Sequence, residues 1–231
     1  MLIRSVVADA FETTCRLVGS DRSASCVVVD PGMGIAERLP GILDAHRRAV
    51  AGVLLTHGHL DHTYAVTDIC NAYDVPCYVH RADRPMLDDP MPWLGSEFGP
   101  QFESVLPEDW QWHPPTNVVE VAEGDKLALA GLRFSVHHTP GHTPGSVMYG
   151  FTGEGVSYRL VGDVLYAGTI GRTDMPGGDR AQTLHSLRLL LAEPDELVLL
   201  TGHFADTTVG AERDTNPFMV QARAAEPAAR E

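Results

Sequence analysis

The chain has 231 residues, 44% hydrophobic and 21% charged, and a formal net charge of −14, with Lys126 its only lysine. That length suffices for one domain with a substantial core and does not demand two. The charge argues against a nucleic-acid partner, which needs a basic groove, and no apolar run approaches the ~20 residues that cross a bilayer.

The N-terminus lacks a basic region feeding a longer apolar stretch, so no secretion signal is read there and a cytoplasmic location is expected. The elements begin as a meander of short strands near residues 2–7, 13–18 and 25–29, closed by the turn Asp30-Pro31-Gly32. Ile35, Leu39, Ile42, Leu43 and His46 then recur at helical spacing, with Pro40-Gly41 predicting a helix that starts or kinks there. Cys15, Cys26, Cys70 and Cys77 show no C-x-x-C spacing and read as buried thiols, although Cys15 and Cys26 are placed where a hairpin would let them face each other.

The apolar run 51–55 empties into Thr56-His57-Gly58-His59-Leu60-Asp61-His62, three imidazoles and a carboxylate within six residues. In an extended segment His57 and His59 share a face, and Gly58 lets the backbone approach closely. A helix starting near Leu60 projects Asp61 and His62 from its first turn, where a carboxylate also suits the positive helix end. This density of ligand types predicts a metal site; zinc, iron and manganese all accept imidazole and carboxylate donors. The helix is expected over about 61–73, with Tyr64 either packing or lining the pocket, and a short strand follows at 77–79.

From about residue 89 to 117 the periodicity stops. This stretch holds six prolines together with Trp93, Phe98, Phe102, Trp110 and Trp112, and is expected to be an irregular lid whose aromatics face the substrate or anchor the loop.

Strands are predicted near 118–121, 126–130, 132–138, 146–149 and 158–161. The turn after His138, Thr139-Pro140-Gly141-His142-Thr143-Pro144-Gly145, holds His142 at its apex; the strand ending at Val161 runs into Gly162-Asp163, and another at 197–200 runs into Thr201-Gly202-His203. Asp179 with Gln182 forms a capping box for a helix with Leu184, Leu187 and Leu191 on one face, and 221–231 reads as a flexible tail after a single domain over 1–220.

The order H-x-H-x-D-H, then His142, Asp163 and His203, resembles the metallo-β-lactamase superfamily across nearly the whole chain. Gly171-Arg172-Thr173-Asp174, Thr208-Val209-Gly210-Ala211-Glu212-Arg213 and Asn216-Pro217-Phe218 resemble its short glyoxalase II-like hydrolases. The resemblance implies an α/β fold, a four-layer αββα sandwich, with His57, His59 and His142 on a first metal, Asp61, His62 and His203 on a second, and Asp163 bridging. It further implies two divalent ions, zinc first and iron or manganese as alternatives, and hydrolysis of a 2-hydroxyacyl thioester through a metal-bridging hydroxide, with Asp61 and Asp163 as catalytic residues.

Arg172, Tyr64, Phe204 and Trp93 are the candidate substrate contacts, with bracing of the loop after Asp163 the preferred alternative for Arg172 and Asp174. Phe204 departs from the glycine that members commonly carry after the last histidine. A mono-iron persulfide dioxygenase using His57, His142 and Asp163, and a lactonase of secondary metabolism, are the alternatives. The expected partner is a small molecule, with no nucleic acid and no membrane, and the expected state is a monomer or small homo-oligomer.

Overall fold

The computed structural model describes residues 1–224. Two six-stranded sheets face each other. The first contains β1 (Leu2–Val7), β2 (Thr14–Gly19), β3 (Ser25–Val29), β4 (Ala49–Leu54), β5 (Cys77–His80) and β6 (Val118–Val121), in that spatial order. β1 to β3 form the antiparallel meander, and β3 to β6 run parallel. The second contains β7 (Lys126–Leu129), β8 (Leu132–His138), β9 (Val147–Gly153), β10 (Val156–Gly162), β11 (Val198–Thr201) and β12 (Thr207–Thr208); only β10 and β11 pair in parallel.

Strands covered on both faces carry apolar residues in both parities. On β2 and β3, Leu17 and Val28 pack outward against the helices α1 (Ile35–His46) and α3 (Val66–Tyr73), through Ile35, Leu39, Leu43 and Ile69. Their neighbours Val18, Val27 and Val29 point inward and meet Phe134, Tyr149, Phe151 and Leu160 of the second sheet. That sheet's outer face packs Val161 and Leu199 against Leu187 and Leu190 of α6 (Arg180–Leu191) and Met219 of α8 (Pro217–Ala224). Helix, sheet, sheet, helix is the four-layer order read from the sequence. Between the sheets, the Val147 N–H donates to the Thr56 carbonyl at 2.8 Å and the Tyr149 hydroxyl to the Leu55 carbonyl at 3.0 Å. The chain segment leading into the first histidine is thus fastened to both sheets.

Several expectations need correction. The helix after the metal loop is broken into α2 (Leu60–Thr63) and α3, because Ala65 leaves the helical region. Pro40 lies inside α1 rather than at its start. Residues 89–117 are not irregular throughout: beyond α4 (Arg84–Asp88) come a 3₁₀ turn at Met91–Leu94 and α5 (Gly95–Val105), which contains Pro100. Leu94, Phe98 and Phe102 recur every fourth residue and give α5 its apolar face, a periodicity masked by the surrounding prolines.

Cys15 and Cys26 do not face each other, since the β2–β3 register pairs Arg16 with Val29 and Val18 with Val27, leaving the two cysteines at opposite ends. All four thiols are buried and free. Of the flexible tail expected over 221–231, residues 221–224 belong instead to α8, which runs to Ala224; the remainder, 225–231, lies outside the described residues. Of the expected capping box only the N-cap half forms: Asp179 Oδ1 accepts the Gln182 N–H at 3.0 Å, while the Asp179 N–H goes to the Gly141 carbonyl at 2.7 Å and the Gln182 amide donates to Asp179 Oδ2 at 3.1 Å. Among the described residues no helix is long and apolar enough to cross a membrane.

Candidate metal centre

The site forms where strands of both sheets end. β4 delivers Thr56 and His57; the parallel pair β10 and β11 delivers Asp163 and His203 side by side, with Gly162 in register with Thr201. His142 comes from the turn between β8 and β9. Glycine is required twice for close approach. A Cβ on Gly58 would lie 2.6 Å from Met86 Cβ, and one on Gly202 would lie 2.4 Å from Asp163 Oδ1.

All seven predicted ligands converge. His57, His59 and His142 form one group of ligand atoms within 4.8 Å of one another, Asp61, His62 and His203 a second, and His57, His62 and Asp163 a third. His59 Nδ1 lies 2.9 Å from His142 Nε2, which lies 3.2 Å from His57 Nε2. In the other group His62 Nε2 is 3.2 Å from His203 Nε2, and Asp61 Oδ2 is 3.3 Å from the same His203 nitrogen. Asp163 stands between them: Oδ1 is 3.3 Å from His62 Nε2, and Oδ2 is 3.5 Å from His142 Nε2 and 3.6 Å from His203 Nε2.

Electrostatics favour the ligand forms of the first group. Burial, then the neighbouring histidines His62 and His142, holds His57 well below its usual pKa, and burial followed by His142 pushes His59 down to about 3. Imidazole nitrogens facing one another at such distances in a buried site call for a shared cation, and Asp163 Oδ1, buried without a hydrogen-bond partner, points to the same need. The donor set of imidazoles and carboxylates fits divalent metal. Burial opposes the charged carboxylates, but His62 and His203 outweigh it and hold Asp163 well below the ordinary carboxylate range.

Residues outside the ligand set orient it. His142 Nδ1 donates to the Arg172 carbonyl at 2.6 Å, which leaves Nε2 as the free donor atom. Asp30 accepts from the Thr56 N–H at 2.8 Å and hydroxyl at 2.6 Å, and its Oδ2 lies 3.2 Å from His62 Nδ1. The Thr13 hydroxyl donates to Asp61 Oδ2 at 3.1 Å. Asp83, fully buried, accepts from the Gly58 N–H at 2.9 Å, the Thr143 hydroxyl at 2.6 Å and the Gly145 N–H at 2.6 Å, joining the loops on either side of the first group. Sequence reading missed Asp83 and gave Asp30 only a turn. The Asp-Pro-Gly after β3 was the available signal for Asp30; for Asp83 there was none.

A cavity of about 360 Å³ opens over the ligands. Arg172 and Phe204 line it, as do Tyr166 and Phe98, which had not been singled out as substrate contacts. Tyr166 is buried beside Asp163, and its ring meets the His203 ring edge-on at 5.8 Å. The Arg172 guanidinium braces its surroundings: it donates to both Asp174 oxygens at 2.8 Å and to Glu97 of α5 at 2.7 Å. Two proposed contacts lie elsewhere. Tyr64 stacks on Trp110 at 5.9 Å, and Trp93 lies so close to Gly177 that a Cβ there would meet it at 3.2 Å; neither lines the cavity. Each ring lies against another part of the chain instead of facing the cavity.

Comparison with known proteins agrees with this arrangement. The family model described as the metallo-beta-lactamase superfamily matches residues 9–203. The hydroxyacylglutathione hydrolase GloC of Haemophilus influenzae is 34% identical over 95% of this chain and 98% of its own length. Two solved structures are similar: the B3 metallo-beta-lactamase BLEG-1 (TM-score 0.77, 32% identity, covering 94% of this chain and 99% of that one) and TTHA1623 in a di-iron-bound form (TM-score 0.76, 33% identity, covering 93% and 99%). With its strand-end histidines and carboxylates, its paired sheets and this family match, the chain belongs to the metallo-β-lactamase superfamily.

Proposed function

We propose that the chain is a metal-dependent hydrolase of the glyoxalase II-like kind, cleaving a 2-hydroxyacyl thioester. The observation that carries this reading is the position of Asp163, whose two oxygens face the two ligand groups. His57, His59 and His142 would hold one ion, and Asp61, His62 and His203 a second, zinc being the first choice and iron, as in TTHA1623, the next. Such ions supply Lewis acidity to a carbonyl oxygen and lower the pKa of water.

The chain's own residues do the rest. Among the described residues lining the cavity there is no serine, cysteine or lysine, and the hydroxyl of Thr169, their one aliphatic alcohol, is hydrogen-bonded to no histidine or carboxylate that would activate it, so water is the nucleophile assigned. Asp61 and Asp163 hold negative charge over the cavity floor and are placed to orient that water. Burial, then Asp163, raises the Tyr166 phenol well above its usual pKa, so it stays protonated and can donate a hydrogen bond towards the reacting groups. A thiolate leaving group, with a conjugate acid near pKa ~8.5, needs little protonation, which suits a site with one weak donor. GloC's name supports the same substrate class.

The test is a panel of acyl thioesters, a lactone, a β-lactam and a thiol persulfide, offered to metal-loaded protein of measured metal content. Thioester hydrolysis exceeding the others supports the proposal. One iron per chain with oxygen uptake on the persulfide would replace it with the dioxygenase reading, and preferred cleavage of the lactone or the β-lactam would reassign the substrate.

A further inference from the structure

The cavity over the ligands has two unlike sides. Its floor is His59, Asp61, His142, Asp163 and His203; its walls are apolar, chiefly Phe11, Leu94, Phe98, Phe102, Ile170 and Phe204. A thioester whose carbonyl oxygen and sulfur lie at the floor must lay at least one of its substituents against those rings.

The wall offers little to a charged substituent. Arg172 is the only basic side chain other than histidine among the described lining residues, and its charge is already committed to Asp174 and Glu97 while its guanidinium lies 4.7 Å over the Phe98 ring. One cation between two carboxylates leaves no net positive charge on that side of the cavity. A substrate carboxylate there would have to compete with Glu97 and Asp174 for Arg172 or sit unpaired against phenylalanines, the second being costly.

Backbone conformation adds an independent observation. Phe204 has φ 61°, in the left-handed region that bulky residues rarely adopt, and its side chain is 67% exposed at the cavity mouth. Its ring neighbours are Tyr166, met edge-on at 5.3 Å, and His203, tilted at 6.1 Å. Phe11 across the cavity shares the conformation (φ 59°) but has its ring stacked on Phe102 at 4.0 Å. A strained backbone holding a largely uncovered ring is explained when the ring closes over a ligand.

We infer that the substrate presents an uncharged apolar group, aliphatic or aromatic, to this wall, with Phe204 as its outer cover, and that thioesters bearing such a group are preferred over those of an anionic peptide thiol such as glutathione. This rests on the thioester-hydrolase reading above.

The experiment compares four thioesters on metal-loaded protein: lactoyl and phenyllactoyl esters, each of glutathione and of benzyl mercaptan. The neutral phenyllactoyl ester of benzyl mercaptan is expected to show kcat/KM at least tenfold above S-lactoylglutathione. Phe204→Ala is expected to raise its KM fivefold or more with metal content unchanged, and Glu97→Gln, which removes one of the two carboxylates, to narrow the preference against the glutathione esters. Preference for S-lactoylglutathione, or an unchanged KM in Phe204→Ala, would overturn the inference while leaving the thioester reading intact. Cleavage of none of the four, nor of any thioester in the broader panel, by folded, metal-loaded protein would overturn that reading itself.

Discussion

Asp83 Oδ2 accepts the Gly58 N–H at 2.9 Å, so a buried carboxylate from the turn before α4 grips the backbone between two metal-site histidines. Its bonds to Thr143 and Gly145 grip the residues around His142 in the same way. Asp83→Asn replaces one accepting oxygen with a donor and sets N–H against N–H. The expected loss is on the order of 2–3 kcal/mol of stability, with metal affinity lower by about 10–100-fold. Denaturant titration and competition with a chelating dye measure the two; an unchanged affinity would show that the loops hold their places without this clamp.

Asp163→Asn is expected to reduce bound metal below the wild-type content and to lower kcat/KM by about 100-fold or more, because the substituted amide cannot supply charge to both ligand groups. Elemental analysis beside the kinetics separates loss of metal from loss of chemistry.

Tyr166→Phe removes the only phenol among the described residues of the cavity lining while keeping its ring against His203. We expect kcat about tenfold lower for thioesters of alkyl thiols, with a smaller loss for thiophenol esters, whose leaving group needs less help. Equal losses across leaving groups would place the hydroxyl's effect at the carbonyl oxygen instead.

Arg172→Ala removes the ties to Glu97 and Asp174 but keeps the backbone carbonyl that accepts the hydrogen bond from His142 Nδ1. Metal content should therefore hold, while α5 loosens and KM rises severalfold. Faster proteolysis within 95–105 is the structural readout, and lost metal would contradict the assignment.

His80 supplies a pH-dependent contribution away from the ligands. It is 4% exposed, stacks on His138 at 4.0 Å, and burial followed by His138 lowers its pKa to about 4 from the ordinary 6.5. The unfolded chain then binds a proton that the folded chain refuses. Stability from this group is intact above pH 6.5 and is lost as pH falls towards 4. His80→Gln should flatten the fall in unfolding free energy between pH 7 and pH 5, measured by denaturant titration at each pH.

Much of this site was legible because its residue types are rare at such density. Three histidines and an aspartate in six positions have few uses other than metal, and His142, Asp163 and His203 each follow an apolar strand and a tight turn. The strands were legible for a related reason: Cys26 to Val29 and Leu160 to Val161 are continuous apolar runs that only a sheet covered on both faces can bury. α5 was hidden because local proline chemistry argued against the helix that its Leu94, Phe98 and Phe102 spacing favoured. Tyr64 took the packing alternative and Trp93 was misplaced, because a ring's partner is chosen by packing across segments far apart in the chain.

By itself the sequence determined which side chains can bind metal and which strands must be buried, since ligand chemistry and hydrophobic periodicity are properties of local composition. Only the tertiary structure decided that Asp83 and Asp30 hold the loops, that Arg172 is spent on Glu97 and Asp174, and that phenylalanines from three separate segments wall one cavity. Apart from the Arg172–Asp174 pair, which is local and was open to sequence reading, those roles depend on a charge or ring meeting backbone and side chains dozens of residues away, a distance that folding closes and spacing along the chain does not record.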